Sequence, residues 1–192
     1  MLKSRTLRSV ASVALCALVL GLAACSKSGS GSSSTTAKSD KATTTSNPYG
    51  AGVVDPPGPT DVVLTVTGPG GTKEFTMDQL KALGTKDLTI YEPFVKRNIA
   101  FTGVPMAAIF DTVGIAGDVR VNTEALNEYV YDKSTAADFV GSDGLIAVAQ
   151  EGKPVPVDQG GPIRIIFPDG TKLSKNLDAW NWSLEKMSVK GS

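Results

Sequence analysis

The sequence predicts an α+β domain that is mostly β and contains a few short helices. Short runs of β-branched and aromatic residues, separated by Gly- and Pro-rich turns, recur along the chain after residue 60. Only two segments there show clear helical signals. The chain has 192 residues, of which 41% are hydrophobic, and this is enough for one globular domain with appendages.

The strands are predicted from runs of β formers that end at turn residues. The first run ends at Gly68-Pro69-Gly70-Gly71, and the segment after this turn is expected to pair back on it as a hairpin. The apolar run at 145–149 has the composition of a buried strand. The predicted strands are 61–66, 73–75, 87–95, 119–121, 127–131, 145–149, 163–167 and 179–189.

The first helix is predicted to begin at a capping box, in which the Thr76 side chain accepts from a backbone amide and Gln79 reaches back. The second helix is predicted to open at 101–105, because Pro105 suits the first turn. Its apolar residues are spaced i, i+3, i+4 and i+7, which predicts one buried stripe. The stripe residues are Met106, Ile109, Phe110 and Val113. A further helical turn is expected at 135–140.

The N-terminal residues have the pattern of an export signal. Three basic residues precede the apolar run 10–22, which is too short to span a bilayer comfortably. The sequence Leu22-Ala23-Ala24-Cys25 resembles the lipobox of bacterial lipoproteins, and this resemblance implies cleavage before Cys25 and lipidation of its sulfur. The alternative is an ordinary signal peptide, cut near Ala24, that leaves Cys25 as a stray thiol.

The chain is therefore predicted to have three parts. Residues 1–24 are the lipoprotein signal peptide, and 25–60 are the lipidated Cys followed by a Ser/Thr/Gly-rich and then Pro-rich tether. Residues 26–46 contain no large apolar side chain, so we expect this part of the tether to be disordered. Residues 61–190 are the folded domain. The lipid anchor predicts a location on the extracytoplasmic face of the cell membrane.

The composition excludes several classes of function. The chain has no His, and its two Cys, Cys16 and Cys25, both precede the predicted domain. The domain therefore has no Ser-His-Asp triad, no Cys-His pair and no His-ligated zinc. Lys+Arg and Asp+Glu are 19 each, so the charge gives no footprint for nucleic acid. We assign no catalytic residue and no metal ligand.

Several motifs follow one another along the predicted domain. Phe101-Thr102-Gly103-Val104-Pro105-Met106 leads into the second helix, which ends at Gly114-Ile115. Asn127-Glu128-Tyr129, the segments within 145–155, the segment 160–168 and the Trp-containing segment 180–187 come after it. Their order and spacing are similar to those of the molybdopterin-binding oxidoreductase domain. The resemblance implies a sulfite oxidase-like mixed sheet with a few short helices, and a molybdenum–molybdopterin cofactor.

One feature of that family has no counterpart here. The family binds molybdenum through pterin sulfurs and one Cys thiolate, and the corresponding stretch, 90–100, contains no Cys. Tyr91, Glu92 and Asn98 offer oxygen or nitrogen in this stretch, and none of them replaces a soft thiolate well. We therefore expect no cofactor, and the resemblance alone implies molybdenum–molybdopterin.

Arg164 is a candidate for either a structural or a binding role. It lies between Ile163 and Ile165 on an apolar predicted strand, where an unpaired guanidinium is costly to bury. One interpretation is an internal salt bridge, with Glu128 or Asp132 as the partner. The other is an arginine that recognises an anion at a cleft.

Three residue pairs are further candidates for ligand binding. The two tryptophans are two positions apart on a predicted strand and should share a face, either for core packing or for stacking on a flat ligand or sugar. The glycine pair serves a turn or lets the backbone approach a ligand. The basic pair is a solvated loop or a phosphate contact. These pairs are Trp180 and Trp182, Gly160 and Gly161, and Lys96 and Arg97.

The predicted function is that of a membrane-anchored extracytoplasmic lipoprotein whose domain is a non-catalytic binding or interaction module. Its expected partners are the membrane, through the lipid, and either an unknown small ligand or a membrane protein. The alternatives are a molybdopterin-dependent oxidoreductase with an atypical metal ligand set, and an accessory subunit of a membrane complex.

The lipobox makes a direct prediction about Cys25. The Cys25→Ala variant should leave the membrane fraction or remain unprocessed, because the acyl chains that hold the protein are attached to this sulfur. Cell fractionation followed by mass spectrometry of the mature N-terminus measures both effects. An unmodified thiol at Cys25 in the wild-type protein would contradict the prediction.

Overall fold

The computed structural model describes residues 56–189. The chain divides into two units, Met1–Ser39 and Asp40–Ser192, and all described residues belong to the second unit. The predicted signal peptide, Cys25 and nearly all of the tether lie outside the described residues, so lipidation at Cys25 stays a prediction. Within residues 56–189, no helix is long and apolar enough to cross a membrane.

The strands form two sheets. The first has the order β2-β1-β9-β5-β6 and is mixed, since β9 runs parallel to β1 and antiparallel to β5. The second has the order β3-β4-β7-β8 and is antiparallel throughout. The mostly β, α+β class is confirmed. The strands are β1 Val62–Gly68, β2 Gly71–Thr76, β3 Lys86–Glu92, β4 Arg97–Pro105, β5 Arg120–Ala125, β6 Val130–Thr135, β7 Leu145–Gln150, β8 Arg164–Ile166 and β9 Leu184–Val189.

Three short α-helices connect the strands within residues 56–189, and local sequence signals explain where two of them begin. They are α1 Met77–Lys81, α2 Met106–Asp111 and α3 Ala136–Gly141. Thr76 and Gln79 form the predicted capping box at α1, and Thr135 and Asp138 form a second one at α3. Three single 3₁₀ turns lie at Val157–Gln159, Leu173–Lys175 and Leu177–Ala179.

The predicted stripe of α2 is part of the hydrophobic core. Met106, Ile109, Phe110 and Val113 are all buried. Phe139 lies between α2 and the following strands, where its ring packs edge-on to Phe110 and stacks on Phe167. The core therefore begins at the helical face that the sequence predicts and continues through a chain of aromatic contacts.

The sequence suggested that residues 101–105 open a helix. In the structure they are instead the end of strand β4. Phe101 pairs with Gln150 of β7, and Pro105 pairs with Leu145. Burial alternates at Ile99, Phe101 and Gly103, which is the period of a strand. Pairing with the apolar strand β7 therefore outweighs the local helix signal, and Pro105 stands immediately before the first residue of α2.

The last predicted strand, 179–189, is also shorter than expected. A 3₁₀ turn ends at Ala179, and the backbone then bends through Ser183, whose φ is 50°. The Ser183 amide donates to the Gly160 carbonyl, and the Asn181 carbonyl accepts from the Ile165 amide. These bonds hold 180–183 as an irregular segment, and β9 begins only at Leu184. The strand expected at 127–131 is likewise displaced, because a turn precedes β6.

The two glycines before β8 allow the chain to pack closely on itself. Gly160 has a φ of 88°, and a Cβ there would lie 2.8 Å from Cγ of Trp182. A Cβ on Gly161 would overlap the Val155 carbonyl oxygen and lie 2.8 Å from its carbon. The glycine pair therefore serves a turn and also allows a close approach of the backbone. The atoms that it approaches belong to this domain.

A side chain at Gly161 should therefore disrupt the segment before β8. The Gly161→Ala variant should lose about 1–3 kcal/mol of unfolding free energy or more, because the new methyl meets backbone atoms that cannot rotate away. Gly141→Ala is the matched control, since a Cβ there has no neighbour within 4 Å. Chemical denaturation of both variants measures the difference. Equal stability of the two would contradict the prediction.

Candidate functional site

A buried ion pair joins the two edges of the four-stranded sheet. Arg164, on edge strand β8, donates from Nη2 to Oε1 of Glu92, at the end of edge strand β3, over 2.8 Å. Each side chain is only 1% exposed. Beside the pair, the Tyr91 amide donates to the Asp169 carboxylate at 3.1 and 3.2 Å. These contacts require the sheet to curl until its edges meet.

The second oxygen of Glu92 organises the turn that follows it. Oε2 accepts from the amides of Phe94 and Val95, at 2.8 and 2.7 Å. The Glu92 carbonyl accepts from the Lys96 amide at 2.8 Å. The turn at 93–96 is therefore wound around one buried carboxylate, and its direction sets where the Phe94 ring lies.

Arg164 is also enclosed by aromatic rings. Its Nη1 donates to the Gln159 carbonyl at 2.9 Å, and its guanidinium lies 4.2 Å from the ring centre of Trp182. The rings of Phe101 and Trp180 are each 6.0 Å away. The structure thus shows the internal salt bridge, with a cation–π contact added. The sequence favoured Glu128 or Asp132 as the acid, and the structure gives that position to Glu92.

The two tryptophans do not share a strand face, because their segment is irregular. Trp180 is buried, packs edge-on to Phe167, and donates from Nε1 to the Leu173 carbonyl at 3.3 Å. Trp182 is half-buried between Arg164 and the Phe94 ring, whose centre is 4.9 Å away. Trp180 has the expected packing role. Trp182 contacts both the buried Arg164 and the exposed Phe94 ring.

Both tryptophans line a cavity of about 300 Å³. Its walls come from the turn at 93–96, the turn before β6 and the segment 177–183, with Val157 from the 3₁₀ turn before Gly160. The lining is mostly apolar, and none of its residues is Lys or Arg within 56–189. The lining residues are Phe94, Asn127, Tyr129, Val157, Leu177, Asp178, Trp180, Asn181, Trp182 and Ser183.

The polar groups of the lining are few, and they include the Tyr129 hydroxyl and the Asp178 carboxylate. The Tyr129 hydroxyl donates to the Asp178 carbonyl at 3.1 Å. Burial, together with the nearby Asp178 charge, raises the pKa of Tyr129 above its ordinary value. The Asp178 carboxylate has an exposed cation, Lys133, at 3.7 Å. Sequence reasoning identified the tryptophans but missed Phe94, Tyr129 and Asn181, because three separate loops bring them together.

Lys96 and Arg97 lie outside the residues that line this cavity. Lys96 is exposed in the turn, and Arg97 forms an exposed ion pair of 2.6 Å with Glu151. This hydrogen bond raises the pKa of Arg97 and lowers that of Glu151. The structure therefore shows the pair as solvated groups on β4 and the turn before it.

Comparison with known proteins agrees with this fold. Residues 92–186 match the family described as oxidoreductase molybdopterin binding domain. The chain carries a domain of this family. The domain is similar to the crystal structure of the sulfane dehydrogenase SoxCD from Paracoccus pantotrophus, with a TM-score of 0.55 and 14% sequence identity. The match covers 71% of this chain and 40% of that one. No curated protein matches the chain.

The residues of the domain do not fit the molybdenum group of that family. The stretch 90–100 contains no thiolate, and Glu92 uses both oxygens on Arg164 and the turn amides. Tyr91 and Asn98 are exposed on the surface. Within 56–189, no three His, Cys, Asp or Glu side chains are grouped to hold a metal. In this stretch Glu92 is engaged in the fold, and the exposed Tyr91 and Asn98 offer oxygen or nitrogen in place of a soft sulfur ligand.

The buried ion pair should contribute strongly to stability. Arg164→Ala should lose about 3–5 kcal/mol of unfolding free energy, because it leaves Glu92 buried without its cation. Replacing both residues, as Arg164→Met with Glu92→Leu, should recover much of this loss. Arg97→Ala is the control, since it breaks an Arg–Glu pair that is exposed and should change stability little.

Thermal and chemical denaturation of these variants measure the coupling between the two buried residues. If Arg164→Ala keeps wild-type stability, the interpretation of Arg164 as a structural residue is wrong.

Proposed function

We propose that this protein is a lipid-anchored binding module on the extracytoplasmic face of the membrane, which uses a sulfite oxidase-like fold without molybdenum redox chemistry. One observation carries the proposal. The stretch in which the family supplies its metal thiolate holds a buried carboxylate, Glu92, that is committed to Arg164 and to two turn amides. This centre stabilises the fold and leaves no donor directed to a metal.

The cavity next to this centre supports binding as the function. Trp182 and Phe94 connect the ion pair to the cavity wall, so the pair holds a preformed aromatic site. Concave, mostly apolar cavities with a few polar groups are typical sites for small ligands. Among residues 56–189, the lining includes no cation for a phosphate and no sulfur for a metal, so a molybdopterin cofactor is a poor occupant.

The membrane location rests on the lipobox at Cys25 and on the polar tether after it. A lipid anchor followed by a long flexible chain suits a domain that binds its ligand near the membrane surface. The Ser- and Thr-rich composition of 26–46 supports this role for the tether.

The family match favours a second candidate, a molybdopterin-dependent oxidoreductase with an atypical ligand set. A third is an accessory subunit, since the chain spans less than half of the sulfane dehydrogenase chain that it resembles. Both depend on the family likeness, and the second requires a cofactor held without a protein thiolate.

Metal and pterin analysis separates these candidates. Protein purified from the membranes of its own host should contain molybdenum and oxidised pterin far below one per chain, because residues 56–189 contain no Cys to supply a thiolate. A molybdenum enzyme purified from the same cells is the control for cofactor supply. About one molybdenum and one pterin per chain, with oxidoreductase turnover that tungstate abolishes, would overturn the proposal.

A further inference from the structure

Among residues 56–189, four aromatic side chains line the cavity beside the ion pair. The rings of Phe94 and Trp182 meet at 68° with their centres 4.9 Å apart, so the two rings form a corner. Tyr129 and Trp180 are the other two. The faces of aromatic rings carry negative partial charge and attract cations. A concave surface of such rings favours an occupant that combines an apolar exterior with positive charge.

One carboxylate belongs to the same lining. Asp178 is the charged residue among the described residues that line the cavity, and its side chain is 63% exposed, so a solute can reach it. Partial burial and then the Asp178 charge raise the pKa of Tyr129, so this carboxylate acts on the cavity wall. The lining contains no Lys or Arg within 56–189. The cavity is therefore complementary to a cation.

Two protein cations lie next to the cavity, and neither cancels this preference. The buried Arg164 lies against the Trp182 ring, but Glu92 pairs with it at 2.8 Å, so the pair carries no net charge. Lys133 lies 3.7 Å from the Asp178 carboxylate, and its side chain is 71% exposed. An exposed ion pair of this kind contributes little to stability. A ligand cation would therefore compete with Lys133 for Asp178.

The scarcity of acceptors decides which kind of cation fits. A primary ammonium has three N–H donors, and each needs an acceptor when it leaves water. The lining is mostly apolar, and Asp178 is its charged acceptor within 56–189. A quaternary ammonium has no N–H group, and its methyl groups spread the charge over an apolar surface that packs on aromatic rings. The cavity therefore suits a quaternary ammonium better than a primary one.

The walls of the cavity are held in place by contacts within the domain. The Glu92 carboxylate fixes the turn that carries Phe94, through the amides of Phe94 and Val95. The Tyr129 hydroxyl donates to the Asp178 carbonyl at 3.1 Å, which joins an aromatic wall to the residue that supplies the carboxylate. A preformed site loses less conformational entropy when it binds. Its volume of about 300 Å³ is that of a small-ligand site.

We propose that the cavity binds a small quaternary ammonium group, with Phe94, Tyr129 and Trp182 in contact with its methyl groups and Asp178 as its counter-ion. The inference rests on the proposed binding function and adds the chemical class of the ligand. The same group occurs on free solutes such as choline and on the headgroup of phosphatidylcholine, and these two sources are separable by experiment.

Three probes that share a hydroxyethyl group separate charge from methylation. Choline carries a trimethylammonium group, 3,3-dimethyl-1-butanol is its neutral carbon analogue, and ethanolamine carries its charge on a primary ammonium. Both tryptophans of the chain line the cavity, so tryptophan fluorescence reports occupancy. The mature chain, in uncharged dodecyl maltoside micelles at constant ionic strength, is titrated with each probe.

Choline should change the fluorescence saturably and bind at least about 10-fold more tightly than 3,3-dimethyl-1-butanol, because the neutral analogue lacks the attraction to the rings and the carboxylate. Ethanolamine should also bind at least about 10-fold more weakly than choline, since its N–H donors lose water without replacement. Equal or tighter binding of either comparison probe would overturn the proposal. So would the absence of saturable binding by choline.

A pair of charge variants assigns the binding to the cavity. Asp178→Asn should weaken choline binding about fivefold and leave the neutral analogue unaffected, because the substitution removes the charge and keeps the shape. Glu74→Gln makes the same charge change on edge strand β2, outside the cavity lining, and should leave both affinities unchanged. Equal effects of the two variants on choline would contradict the role of Asp178.

Two further variants test the ring and the competing lysine. Phe94→Leu should reduce the preference for choline over its neutral analogue, because it keeps an apolar side chain and removes the aromatic face. Lys133→Gln should tighten choline binding about twofold, since Asp178 loses its neighbouring cation. If Phe94→Leu does not unfold cooperatively, the wild-type comparison of the three probes still decides the question.

Repeating the choline titration in lipid nanodiscs identifies the source of the group. If lipid headgroups fill the cavity, choline should give no further change in phosphatidylcholine nanodiscs and a full response in phosphatidylglycerol nanodiscs. If the ligand is a free solute, the response should be equal in both. Each of these results supports the proposed chemistry, and the difference between them tells the two sources apart.

The two proposals fail in different ways. Stoichiometric molybdenum and pterin in the native protein would remove the binding function on which this inference rests. Protein free of molybdenum and pterin that shows no saturable response to choline would reject the ligand class and leave the proposed function in place.

Discussion

A buried ion pair between Arg164 and Glu92 ties together the two edges of the four-stranded sheet. Two charges in a low-dielectric interior are favourable only when each is paired and hydrogen-bonded, and here the Gln159 carbonyl, two turn amides and the Trp182 ring complete their surroundings. The pair thereby fixes the turn at 93–96 and the ring of Trp182, which form one wall of the cavity. The geometry of the candidate site depends on this one contact.

Local features of the fold follow from the sequence, and long-range ones do not. The capping box at Thr76 and the buried stripe of α2 are set by residues within two turns of a helix, and both are confirmed. The sequence also predicts that Arg164 needs an internal acidic partner. Its partner is 72 positions away, on a strand edge that is not a sequence neighbour, so the choice of Glu128 or Asp132 was wrong. The cavity was missed for the same reason, because three loops supply its walls.

A fold does not by itself determine the chemistry that a domain performs. The family match covers residues 92–186. The stretch 90–100 of this chain contains no Cys, and its Glu92 forms the buried salt bridge with Arg164. An aromatic cavity lies beside this salt bridge.

Amide hydrogen exchange at Phe94 and Val95 tests the central claim most directly. These two residues are 41% and 40% exposed, so turn amides at these positions would ordinarily exchange within moments. If both amides donate to the buried Glu92 carboxylate, they should exchange slowly by NMR, like the core strand amides, and lose this protection in Arg164→Ala. Rapid exchange of both amides in the wild-type protein would show that Glu92 is not committed to the turn, and would contradict the account.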